Sequence, residues 1–210
     1  MAAQPYRIPC GQPRGSEILF DGSKRTCLDM PGTKQMETRV HAKMAALVVG
    51  VAAIMLAIMR TLGLMATDDV GLSIGGSWWS RLSHPFIHTG IIHASLNVYV
   101  FWQLVFFFPV TKRHLLAAYL MACACPASVA LWSISLFQNN TPTHVAGLSG
   151  VVYWLLGWVM PQVSRRKRYC AILLLWMAFG AILGTVAVGI HAYCFIAGSI
   201  WRACESQGRK

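Results

Sequence analysis

From residue 44 onward the apolar positions come in long runs: Met44 to Ala66, Phe86 to Val110, Leu115 to Phe137, Val145 to Val163 and Tyr169 to Trp201. Most are close to the ~20 residues that carry a helix across a ~30 Å hydrocarbon core. The last, drawn as one helix, would be about 50 Å long, so it is expected to split in two, with Gly180, Gly184 and Gly189 as places to turn. Six membrane-crossing helices are predicted. Residues 1–43 are mixed and polar, contain Pro5, Pro9, Pro13 and Pro31, and hold no apolar stretch that suits a secretory signal. The expected organisation is a cytoplasmic tail over 1–43, a helical transmembrane domain over 44–204 and a short cytoplasmic tail over 205–210.

Composition sharpens this reading. Of the 210 residues 56% are hydrophobic and only 12% charged, against a charged share of about 25% in soluble domains, which excludes a soluble fold. The net charge of +11 does not point to nucleic acid, because the 18 Lys and Arg sit in short clusters between apolar runs without interleaved aromatics. Cytoplasmic loops are enriched in Lys and Arg. With residues 1–43 inside, sixteen of the eighteen fall on that side: in the tail, at Lys112 and Arg113, at Arg165–Arg168, and at Arg202, Arg209 and Lys210. Arg81 is left in an outer loop, and Arg60, near the outer end of the first helix, is expected to snorkel to the interface. The prediction is a multi-pass protein of the plasma or inner membrane with both termini cytoplasmic. Seven cysteines, an odd number without a CxxC pair, give no expectation of a disulfide framework or a zinc site.

Polar side chains inside a bilayer are costly and point to function. All seven carboxylates lie in the tails or the first outer loop. Their absence from the runs argues against paired-aspartate proteolysis, an HExxH zinc site and a carboxylate proton relay. What remains is His88, His93, Asn97 and Gln103 in the second run, Gly147-Leu148-Ser149-Gly150 opening the fourth helix, and His191 in the sixth. His93 and Asn97, spaced i, i+4, share one helix face. Ser149 to Val163 makes only about 22 Å of helix, which recesses Ser149 below the outer surface. His191 follows the turn into the sixth helix, so the polar groups are expected in one leaflet. Gly150 with Gly157, and Gly189 with Gly198, are expected to let the fourth and sixth helices approach closely enough for a Ser-to-His hydrogen bond.

These residues resemble the rhomboid family of intramembrane serine proteases. His93-Ala94-Ser95-Leu96-Asn97 is similar to the family's HxxxN helix. Gly147 to Tyr153, with Gly157 following, resembles its GxSG helix, and His191 between Gly189 and Gly198 resembles its closing helix. His88 and Trp79 also fit the family pattern. Three features depart from it: Ser80 separates Trp79 from Arg81, Val105 to Arg113 holds neither Gly nor Glu, and Ile190 and Cys194 stand where the family commonly has Ala and Gly. The resemblance implies an all-α, six-helix bundle with a catalytic Ser149-His191 dyad, and an oxyanion hole from His93, Asn97 and the Ser149 backbone N–H. Gly147, Gly150 and His88 would shape the site, which opens to the outer side. It implies no cofactor or metal, and substrates that are single-span membrane proteins. The weaker alternative is an inactive relative that binds client transmembrane helices. With no carboxylate in the runs to orient it, the His191 ring is expected to be held by packing against Tyr153 or other neighbours, the sequence not showing which.

Overall fold

The computed structural model describes residues 33–64, 71–135, 144–182 and 187–207. They form eight α-helices: α1 (Thr33–Thr61), α2 (Trp78–Ser83), α3 (Ile91–Phe107), α4 (Lys112–Ala124), α5 (Ala127–Ser135), α6 (Ser149–Val159), α7 (Arg166–Ile182) and α8 (Val188–Gln207). A 3₁₀ turn, Met160–Gln162, follows α6. Among the described residues the only strand-like pairing is one antiparallel bridge between Leu72 and Val145.

The runs and the helices correspond with instructive differences. α1 starts at Thr33, within the segment read as a tail; residues 1–32, with the rest of that tail, lie outside the described residues. The third run is two helices because Pro126 has no N–H to donate and its ring obstructs the preceding turn. α4 therefore ends at Ala124 and α5 begins at Ala127. The long last run is also two helices. Its break falls between Ile182 and Val188, so Gly180 lies inside α7 and Gly189 inside α8, while Gly184 lies outside the described residues. Among the described residues one helix, over Met36–Thr61, is long and apolar enough by length and composition to cross a membrane.

α6 is the axis of the molecule. Every one of its eleven residues except Leu156 is buried, including Trp154 and Trp158, and it packs on α8 above all, then on α4 and α3. Helices in lipid gain little from apolar burial against one another, so close packing and polar links must hold them. Both are present. A Cβ on Gly157 would fall onto the Phe195 carbonyl oxygen of α8, and one on Gly198 onto the Trp154 carbonyl oxygen of α6. The two backbones touch because neither position carries a side chain. On the other flank α1 turns a face of Ala42, Ala46, Gly50, Ala53 and Ala57 inward, the i, i+4, i+8 spacing of one helix stripe. Trp102 of α3 lies over Gly50 and donates to the Ala46 carbonyl at 2.9 Å. Large apolar side chains cover the outside instead: Met44, Val48, Val51 and Met55 on α1, Ile172, Leu174, Leu175 and Trp176 on α7, Ile196 and Ile200 on α8. Small residues inside and large apolar ones outside suit a hydrocarbon solvent.

Candidate active site

Ser149 is the first residue of α6, and the turn before it is fastened to the segment between α1 and α3. Val145 exchanges two backbone hydrogen bonds of 2.8 Å with Leu72, and the Gly147 N–H donates to the His84 carbonyl at 2.8 Å. The Leu148 N–H donates to His88 Nε2 at 3.1 Å in a fully buried contact. Gly147 has φ +135°, a conformation that L side chains rarely adopt, and a Cβ there would press on the His93 ring at 3.3 Å. Glycine is thus required both by the backbone angle and by the imidazole beside it.

His191 sits one turn into α8, 5% exposed, and its Nε2 lies 2.7 Å from Ser149 Oγ, within hydrogen-bond distance. The ring stacks on Tyr153 at 4.2 Å between centroids and 9° between planes, which holds its tilt from the same helix that carries the serine. Its Nδ1 is buried without a hydrogen-bond partner among the described residues. Among the described residues the ring is thus held by aromatic stacking on Tyr153.

His93 and Asn97 lie on α3 as their spacing requires. His93 Nδ1 is 3.0 Å from Thr89 Oγ1, its Nε2 edge lies against Gly147, and Asn97 Nδ2 is buried with no partner among the described residues. His88 packs edge-on against His93, ring centroids 5.5 Å apart. Because its Nε2 accepts from Leu148, its proton sits on Nδ1 and donates to the Phe86 carbonyl at 3.2 Å. His84, in the loop before α3, donates from Nδ1 to the Arg81 carbonyl at 2.9 Å. Burial pushes its pKa down to about 4, so its Nε2 is a buried acceptor, without a partner among the described residues.

The structure therefore brings Ser149, His191, His93, Asn97, Gly147 and His88 to one end of the α3, α6, α8 cluster. Two expectations need correction. A Cβ on Gly189 would fall onto the Val129 carbonyl of α5, so that glycine serves the α5–α8 contact and not α6. A Cβ on Gly150 would meet Ala122 of α4 at 3.2 Å as well as Ile190 and Cys194 of α8 at 3.4 and 3.5 Å, so this glycine faces α4 and α8 together. Arg60 does not simply snorkel: its Nη1 donates to the His88 carbonyl at 2.9 Å. Thr89, in the loop two residues before α3, was missed, because helical spacing does not extend past the extended N-cap Gly90. Trp78 and Trp79 stack at 3.7 Å and are both exposed, in keeping with an interfacial role. Among the described residues no group of three or more His, Cys, Asp and Glu is arranged to hold a metal ion. A buried hydroxyl within hydrogen-bond distance of an imidazole can become nucleophilic toward a carbonyl.

A family model described as "Rhomboid domain" matches residues 75–204. Rhomboid protease GlpG of Yersinia enterocolitica serotype O:8 is 30% identical over 131 residues, which cover 57% of this chain and 45% of the relative. GlpG of Pectobacterium atrosepticum is 30% identical over 131 residues, covering 57% and 46%. The chain spans about half the length of these curated relatives.

Proposed function

The chain belongs to the rhomboid family, and from that premise we propose that it is an intramembrane serine endopeptidase working through Ser149 and His191. The observation that carries the reading is the 2.7 Å contact between Ser149 Oγ and His191 Nε2 in a buried setting. Ser149 Oγ attacks the scissile carbonyl carbon and gives its proton to His191 Nε2. The tetrahedral oxyanion meets the Ser149 backbone N–H, Asn97 Nδ2 and His93. With the Thr89 hydroxyl donating to Nδ1, His93 carries its proton on Nε2, facing Gly147. Collapse breaks the C–N bond, and the leaving amine takes the proton from His191. Water then attacks the acyl-serine ester, His191 accepts its proton, and Ser149 Oγ leaves protonated. Each oxyanion donor is expected to contribute ~10²-fold or more to the rate.

The surroundings fit the same reading. Counted as six crossings (α1, α3, α4 with α5, α6, α7 and α8), with the basic clusters in the cytoplasm, the helices would carry the dyad in the outer leaflet. Substrates would be single-span membrane proteins whose helix is weak near that depth, because a regular helix hides its peptide bonds from a nucleophile. Cleavage of a single-span reporter in liposomes by wild type, and by neither Ser149→Ala nor His191→Ala, is the expected result. Equal cleavage by wild type and Ser149→Ala would overturn it. A wild type that folds, neither cleaves nor reacts with a fluorophosphonate, and retains membrane partners would favour client binding.

A further inference from the structure

We propose that Arg60 is a positioning residue for the nucleophile, acting as a strut from the end of α1 through His88 to the backbone before Ser149. The inference rests on the protease reading for its kinetic test but not for its geometry. Three hydrogen bonds run in series. Arg60 Nη1, in the last turn of α1, donates to the His88 carbonyl at 2.9 Å across 28 residues of chain. The His88 ring, locked with its proton on Nδ1 by the Phe86 carbonyl at 3.2 Å, presents Nε2 as an acceptor. That nitrogen takes the Leu148 N–H at 3.1 Å, and Leu148 is the N-cap residue immediately before Ser149, the first residue of α6.

Each link constrains the next. A guanidinium–carbonyl bond is charge-assisted and therefore stronger than a neutral one, and it fixes the His88 backbone. A fixed backbone sets where the imidazole points, and the imidazole sets the height of the Leu148 amide. The neighbouring bond from Gly147 N–H to the His84 carbonyl fastens the same turn to the same loop, so the loop and the turn move together. The sequence explains why the task falls to α1. Arg81, the cation within the loop itself, is separated from Trp79 by Ser80 and is exposed, whereas Arg60 reaches in from a helix that packs along α3. Anchoring the loop from a rigid neighbouring helix limits drift of Ser149 relative to His191, and an error of about 1 Å in such a geometry can cost ~10²-fold in rate.

The test compares Arg60→Met, which keeps an apolar stem but no donor, with Arg60→Lys, which keeps the charge and a donor. Readouts are kcat and KM on the reporter, the rate at which Ser149 is labelled by a small fluorophosphonate, and hydrogen exchange at the Leu148 amide. Expected for Arg60→Met is a kcat lower by roughly 10- to 100-fold with KM within twofold, slower labelling to match, and faster exchange at Leu148. Arg60→Lys should recover part of both. Full kcat in Arg60→Met, a change in KM alone, or a variant that fails to fold would overturn the proposal, the last by assigning Arg60 to the fold and not to the nucleophile. If wild type neither cleaves nor is labelled, the protease reading fails. The strut is then judged by exchange alone, where equal protection of Leu148 in wild type and Arg60→Met overturns it.

Discussion

The two ends of the α6–α8 pair are organised around different polar groups. At the end carrying Ser149 and His191, buried polar atoms are left open: His191 Nδ1, Asn97 Nδ2 and His84 Nε2 have no partner among the described residues. At the other end, Glu205 is surrounded. His114 Nε2 donates to its Oε1 at 2.9 Å, Trp158 Nε1 to its Oε2 at 2.9 Å, and Arg202 lies 3.5 Å from Oε2 while its guanidinium sits 5.0 Å over the Trp158 ring. His114 is in turn held by the Thr111 N–H at 3.1 Å, in a capping box that starts α4. Three helices thus meet on one carboxylate. A buried polar group without a partner costs stability, and since Gln162 Nε2 and Trp201 Nε1 are also without one among the described residues, what sets the ends apart is the multiply bonded carboxylate at one and the hydroxyl–imidazole pair at the other. One end reads as chemistry and the other as a clamp.

Removing the dyad should separate the ends most sharply. Ser149→Ala or His191→Ala is expected to lower reporter cleavage by ~10⁴-fold or more while leaving thermal unfolding in detergent nearly unchanged, since the clamp is untouched. A fall in unfolding temperature of the same size as for clamp variants would erase the distinction. Gly157→Ala should instead damage both ends together. The added methyl must displace the Phe195 carbonyl, and overpacking of this kind costs about 1–3 kcal/mol. Because α8 is pushed from α6 midway between Ser149 and Glu205, stability and kcat should fall in parallel; a change in only one would mean that the helices do not move as a rigid pair. Asn97→Ala removes one unpartnered donor and should cost ~10²-fold in kcat with no loss of stability. A stabilised protein with full activity would show that the open Nδ2 serves no reaction.

How far the sequence reveals these two ends differs. The grouping of residues at the Ser149 end is legible because they carry local signatures, the i, i+4 pair of His93 and Asn97 and the glycines around Ser149, whereas the sequence leaves open that Tyr153 is what stacks on His191. The clamp is not, since Glu205 meets His114 across 91 residues and Trp158 across 47, and hydropathy reports burial without naming partners. Glu205 looked like the start of a tail, yet α8 continues to Gln207. The one available hint was a lone carboxylate three residues after Arg202. Likewise Pro126 was visible but averaged away within an apolar run, the six-residue α2 was too short for any run to show, and the reach of Arg60 to His88 depends on how α1 lies beside the loop.

The smallest effect belongs to the clamp, and its pH dependence shows whether the carboxylate acts as an ion. Burial raises the Glu205 carboxyl, but hydrogen bonds from Trp158 and His114, with the nearby positive charge, more than offset it and hold the pKa at about 2 against an ordinary 4.5. A group whose pKa is depressed by folding contributes stability above its unfolded value and loses it as pH falls through the folded one. Glu205→Gln keeps one acceptor and the side-chain shape, so at neutral pH it should destabilise by only about 1–2 kcal/mol, with kcat within threefold because His191 is about 21 Å away along α8. The difference in unfolding between wild type and Glu205→Gln should be constant above pH 5, shrink below 4.5 and vanish near 2. A difference that stays flat down to pH 2.5 would mean that shape and hydrogen bonding, and not charge, close this end of the bundle.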